Sequence, residues 1–99
     1  MKTIRKKILP EYFQAVADGT KTFELRKDDS DYKVGDFLEL REWDADKGEY
    51  TGRVVVREIT YILRNVSNGR AEPGACVFGL DPGYCAIGIK PVGWRTGSK

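Results

Sequence analysis

VVVREITYILRN, residues 54 to 65, is the longest strand-like run in the chain. Val, Ile, Thr and Tyr dominate it, and such side chains fit a pleated, half-buried surface. Its alternation breaks at Arg57-Glu58, the mark either of a bulge or of a strand that crosses from one sheet region to another. Immediately upstream, DADKGEYTG (44–52) closes a hairpin onto a strand from Phe37 to Trp43. Leu38 and Leu40 face inward there, which leaves Phe37, Glu39, Arg41 and Trp43 on the other side, an acid–base pair flanked by aromatics. Downstream, Gly69, Pro73, Gly74, Gly79, Pro82 and Gly83 mark residues 65–83 as loop, within which CVFGL (76–80) allows a short strand. Tyr84 to Val92 supplies the last strand.

The N-terminal half completes the set. Thr3 to Leu9 reads as a strand with basic residues on its outer face, and Pro10 then opens a helix, because its missing N–H would be an orphan at that position anyway. Tyr12, Phe13, Val16 and Ala17 recur at helical spacing, and Gly19 stands where a left-handed C-terminal residue belongs. Thr20 to Lys27 is a strand whose period of two puts Lys21, Phe23 and Leu25 on one face and Thr22, Glu24 and Arg26 on the other. Phe23 and Leu25 are the expected core pair, with the Lys21 ammonium emerging at the rim near free helix carbonyls. DDSDYKVGD (28–36) is turn chemistry. One short helix with five or six strands predicts an α+β, mainly β fold: a small closed or nearly closed β-barrel with the helix at its end, since closure removes unpaired edges.

Ninety-nine residues suit a single domain, here 1–92 followed by a tail, 93–99, in which only Trp94 could pack. Seventeen basic residues against fifteen acidic ones give a net charge of +2, too small to announce a nucleic-acid binder by itself. No apolar run reaches the length of a membrane span, and the basic start MKTIRKKILP is not followed by an extended apolar stretch. The expected location is cytoplasmic, with no membrane partner. Cys76 and Cys85 are too few for a disulfide framework or zinc site, and the sequon Asn65-Val66-Ser67 reads as a polar turn.

The chain has no histidine, which removes serine–histidine and cysteine–histidine nucleophilic sites and the usual zinc arrangements. GYCAIGIK (83–90) approaches phosphate-loop spacing, but Ile89 stands where that pattern needs Lys. DADKGEYTG resembles a calcium loop only superficially, and Asp28, Asp29 and Asp31 read as a solvated acidic turn rather than a cation site. No metal and no cofactor are expected. What remains is GTKTFELR (19–26). Glu24 and Arg26 share a face, where the guanidinium orients the carboxylate or each presents its edge to a base or phosphate; the alternative is an exposed ion pair of little energetic weight.

Gly19-Thr20-Lys21-Thr22-Phe23-Glu24-Leu25-Arg26 resembles the G-x-K-x-x-E-x-R signature of ASCH domains, members of the PUA-like superfamily. The wider run ILPEYFQAVADGTKTFELRKDDSDYKVGDFLELREWDADKGEYTG (8–52) is similar to one branch of that group, the DUF3850 family of bacteria and phages, and GYCAIGIK resembles its closing strand. The resemblance covers about nine-tenths of the chain. Family members carry a histidine-containing H-x-L-K stretch before I-x-P-E-Y-F; here Ile4-Arg5-Lys6-Lys7 takes its place, so any role of that histidine is missing.

The resemblance implies a β-barrel with a helix beside a cleft, and binding of single-stranded RNA or a modified nucleoside by Lys21, Glu24 and Arg26, with Lys27, Arg41, Tyr12 and Trp43 as further contacts. A second reading is an amidohydrolase acting on N4-acetylcytidine-like nucleosides, with Lys21 and Glu24 as catalytic residues. ASCH relatives with that activity carry threonine at the Glu24 position and use a further downstream glutamate, for which Glu72 is the single acid in the corresponding loop. A third reading is a phage or mobile-element module that contacts a protein through its charged strand.

Overall fold

The computed structural model describes residues 1–64, 80, 81 and 83–92. Within them the chain forms β1 (Thr3–Ile8), α1 (Pro10–Ala17), β2 (Phe23–Lys27), β3 (Phe37–Asp44), β4 (Glu49–Arg64) and β5 (Tyr84–Pro91). The five strands make one sheet in the order β1-β3-β4-β5-β2, curled into a half-barrel. Only β1 and β3 run parallel; the other neighbours are antiparallel. The expected mainly β architecture with one short helix is what forms. Its two end strands, β1 and β2, have no backbone ladder between them among the described residues, so the barrel is open along one seam.

The 54–65 run explains the curl. β4 is sixteen residues long and bends where its register slips. Opposite Arg41 to Trp43, β4 carries extra residues around Gly52, whose φ of +97° is a conformation glycine adopts without a Cβ clash. Between Ile59 and Tyr61, Thr60 is the one extra residue against Ile89–Gly88 of β5. The break at Arg57-Glu58 turns out to be the crossing point: β4 pairs with β3 up to Glu58 and with β5 from Arg57 onward. Both alternatives thus occur, three residues apart.

The core lies inside the curl, where Ile8, Leu38, Leu40, Ile59, Cys85, Ile87 and Ile89 project from the strands. α1 adds Phe13 and Val16 against β3 and β4. Gly19 has a φ of +86° just past the helix, as expected, and Arg57 Nη2 on β4 donates to the Val16 carbonyl at 3.1 Å, binding the negative end of α1. Tyr32, inside the predicted turn, is a buried core residue that polar neighbours concealed.

β2 corrects the sequence reading. Phe23 and Leu25 are not a core pair: they are 52% and 57% exposed, while Glu24 is 3% exposed. The alternation was right, but the face that turns inward carries Glu24 and Arg26, opposite Ile87 and Cys85 of β5. Periodicity groups side chains by face but does not say which face is covered. The strand also begins two residues after Lys21, whose N–H donates to the Ala15 carbonyl at 2.9 Å. Lys21 therefore belongs to the helix exit and escapes the alternation. CVFGL apart from Leu80, most of loop 65–83, Glu72, Cys76 and the tail 93–99 lie outside the described residues.

Candidate functional site

The seam between β1 and β2 opens into a hollow of about 490 Å³, lined by Lys7, Ile8, Leu9, Tyr12, Lys21, Phe23, Glu24, Leu25 and Arg26. Four segments build it, β1 among them through Lys7 and Ile8. β2 sends Glu24 and Arg26 inward, the turn after α1 delivers Lys21, and the first turn of α1 supplies Tyr12, which is 48% exposed.

Glu24 is the centre of the polar floor. Its Oε1 accepts from Arg26 Nε at 3.0 Å and Nη2 at 2.8 Å, and its Oε2 accepts from Lys21 Nζ. A direct Lys21–Glu24 pair contradicts the expectation that they occupy opposite strand faces, and the early exit of Lys21 from the strand is the reason. Burying a lone carboxylate would be prohibitive; two cations with several hydrogen bonds make it tolerable. Lys21 Nζ also donates to the Phe23 carbonyl at 2.7 Å. Arg26 Nη2 donates to the Lys7 carbonyl at 2.8 Å, so one guanidinium satisfies an open-edge acceptor of β1 across the seam.

The walls are apolar and flat. The Lys21 ammonium lies 4.9 Å from the Phe23 ring centroid and 5.9 Å from that of Tyr12, within cation–π range of both. Phe23 and Leu25, expected in the core, instead form part of this rim.

Of the seven residues expected to contact nucleic acid, Lys21, Glu24, Arg26 and Tyr12 line the hollow. Lys27 ends β2, exposed and outside it. Arg41 and Trp43 project from the outer face of β3 into a cation–aromatic row: Lys7 lies 3.8 Å from the Trp43 ring, Trp43 meets Tyr50 edge-on at 4.9 Å, and Arg41 lies 4.7 Å from Tyr50. Lys7, which was not among the expected contact residues, joins the row to the hollow. Its signal was available, as a basic residue one position before the buried Ile8 at the open edge.

The acidic turn does not converge on a cation site. Asp28 pairs with Arg64, Asp29 with Lys6 and Asp31 with Lys33. Among the described residues no group of three His, Cys, Asp or Glu side chains could hold a metal, and no helix is long and apolar enough to cross a membrane.

The family model described as "Domain of unknown function (DUF3850)" matches residues 4–89. A relative from Escherichia phage P2, the "Uncharacterized 12.9 kDa protein in GpA 3'region", is 44% identical over 54 residues, which are 54% of this chain and 48% of that protein. The chain thus spans about half the length of that curated relative. The family match runs from β1 to β5 and takes in every residue that lines the hollow, so the chain belongs to the DUF3850 family.

Proposed function

We propose that the chain binds RNA or a modified nucleobase in the seam hollow, with Lys21, Glu24 and Arg26 as its polar floor and Tyr12 as a stacking wall. The observation that carries this reading is a buried carboxylate, held by two cations, beside a hollow walled by exposed aromatic and aliphatic side chains. A flat ring has apolar surface to cover and polar edges to satisfy, and such a hollow meets both demands. Stacking contributes about 1–3 kcal/mol per base, which offsets the low net charge. The resemblance to RNA-binding ASCH domains of the PUA-like superfamily supports the same reading.

The hydrolase alternative asks Lys21 to offer a lone pair. In the floor, Lys21 Nζ faces two acceptor oxygens, Glu24 Oε2 and the Phe23 carbonyl, contacts that need N–H donors. That arrangement uses Lys21 as a hydrogen-bond donor held between two acceptors, a role suited to binding.

The test is a titration of the purified protein and of Lys21→Ala with single-stranded RNA, single-stranded DNA and N4-acetylcytidine at two salt concentrations, with product formation followed. Binding that weakens with salt, yields no product and falls at least tenfold in the variant is the expected result. Product that disappears in the variant would establish hydrolysis instead, and silence toward all three ligands would end the nucleic-acid reading in favour of a protein partner.

A further inference from the structure

The hydrogen-bond capacity of the floor specifies which base edge it can meet. Glu24 is buried and both of its oxygens already accept from Lys21 and Arg26. The Lys7 and Phe23 carbonyls are likewise taken. On the donor side, Arg26 spends Nε and Nη2 on Glu24 and the Lys7 carbonyl, which leaves both N–H groups of Nη1 without a partner among the described residues. Lys21 spends two of its three ammonium donors and keeps one. The floor side chains therefore offer the hollow three free N–H donors, against the single acceptor site left on Glu24 Oε2 in a side chain that is almost wholly buried.

From this we infer that the hollow reads a base edge carrying two neighbouring acceptors, the arrangement of O6 and N7 on guanine, and discriminates against adenine. This deepens the nucleic-acid reading and rests on it. The free N–H groups of a guanidinium and an ammonium suit an edge that carries acceptors, whereas adenine places its N6 amino donor beside N7. A donor facing the floor would leave N–H groups that the ligand covers without an acceptor. A phosphate is also rich in acceptors, but Leu9, Tyr12, Phe23 and Leu25 would then face its hydration shell. The same walls suit the faces of a purine.

Calorimetric titration of the wild type with GMP, 7-deazaguanosine monophosphate, AMP and ribose-5-phosphate separates the sources of the acceptors. GMP is expected to bind about 5- to 150-fold more tightly than AMP. The 7-deaza analogue, which lacks the N7 acceptor, falls toward AMP, and ribose-5-phosphate binds more weakly than either. Arg26→Lys keeps a cation against Glu24 but lacks the Nη1 donors, so the preference for GMP over AMP shrinks to within about twofold. Equal affinity for GMP and AMP, or a 7-deaza analogue that binds like GMP, overturns the inference while leaving RNA binding intact. Ribose-5-phosphate binding as tightly as GMP overturns it in favour of a phosphate site. Absence of binding to every nucleotide and to RNA overturns this inference together with the function it rests on.

Discussion

Glu24 and Glu42 are both buried carboxylates on inward faces of the sheet, and both are held by a guanidinium, yet of the two only Glu24 borders the seam hollow. Glu42 accepts from Thr51 Oγ1 at 2.6 Å and pairs with Arg53 Nε at 3.3 Å. Arg53 in turn lies 4.5 Å from the Phe13 ring and donates to Gln14 Oε1 at 3.1 Å. That cluster fastens α1 to the irregular stretch of β4 around Gly52, and it does not line the seam hollow. The cations of Glu24 instead look into open space with donors left over. A buried ion pair is therefore not by itself a site; an adjacent void and uncommitted donors separate a recognition floor from a structural latch.

The comparison breaks most visibly at Glu24. Removing one partner of a buried pair leaves the others uncompensated, and because Lys21 and Arg26 keep some access to water, Glu24→Ala should cost about 3 kcal/mol of stability in urea unfolding. Nucleotide binding should vanish with it. A loss below about 1 kcal/mol would mean that the carboxylate does not hold the seam. Replacing the whole floor, as Lys21→Met/Glu24→Leu/Arg26→Met, should restore most of that stability without restoring binding.

Glu42→Ala is the matched control. It should lose about 2 kcal/mol, from the Thr51 and Arg53 contacts left without their acceptor, while RNA affinity stays within about twofold of wild type. A larger drop in affinity would join the two carboxylates into one functional unit and erase the distinction.

Tyr12→Ala should give the reverse pattern. The ring is half exposed, so stability should change by no more than about 0.5 kcal/mol, whereas binding of single-stranded RNA should weaken by about 1–2 kcal/mol. Unchanged affinity in a filter or fluorescence titration would remove the stacking wall from the site.

The smallest effect expected is at Asp36, a third buried carboxylate, paired with one lysine. The Lys2 ammonium and backbone N–H, at 2.7 and 3.0 Å, hold its carboxyl below the usual carboxylate range. Its contribution is complete above the unfolded-state value and fades as pH falls toward the lower folded one. Between about pH 5 and pH 2, Asp36→Asn should therefore lose less stability than the wild type in paired urea titrations. An equal or steeper loss in the variant would refute the assignment.

Much of the architecture was legible because local rules act there without competition. Pro10 and Gly19 bound the helix, Leu38 and Leu40 face inward, and the uneven alternation at Arg57-Glu58 marks the crossing of β4. Glu24 and Arg26 were legible as a pair from their spacing, whereas Lys21 joined them through the resemblance of GTKTFELR to the G-x-K-x-x-E-x-R signature. The geometry of the floor was not legible, because hydropathy assigned the interior to Phe23 and Leu25. At an open seam, a paired carboxylate can occupy the inward position while large apolar side chains remain on the rim.

By itself the sequence determined the order of the elements, the alternation within β2 and β3 and the pairing of Glu24 with Arg26, because these follow from side-chain chemistry and short-range spacing. Only the tertiary structure decided which face of β2 turns inward, that Lys21 reaches Glu24, and that Arg26 crosses to the edge of β1. Those outcomes depend on where the curled sheet leaves its seam, and thus on contacts between residues far apart in the chain.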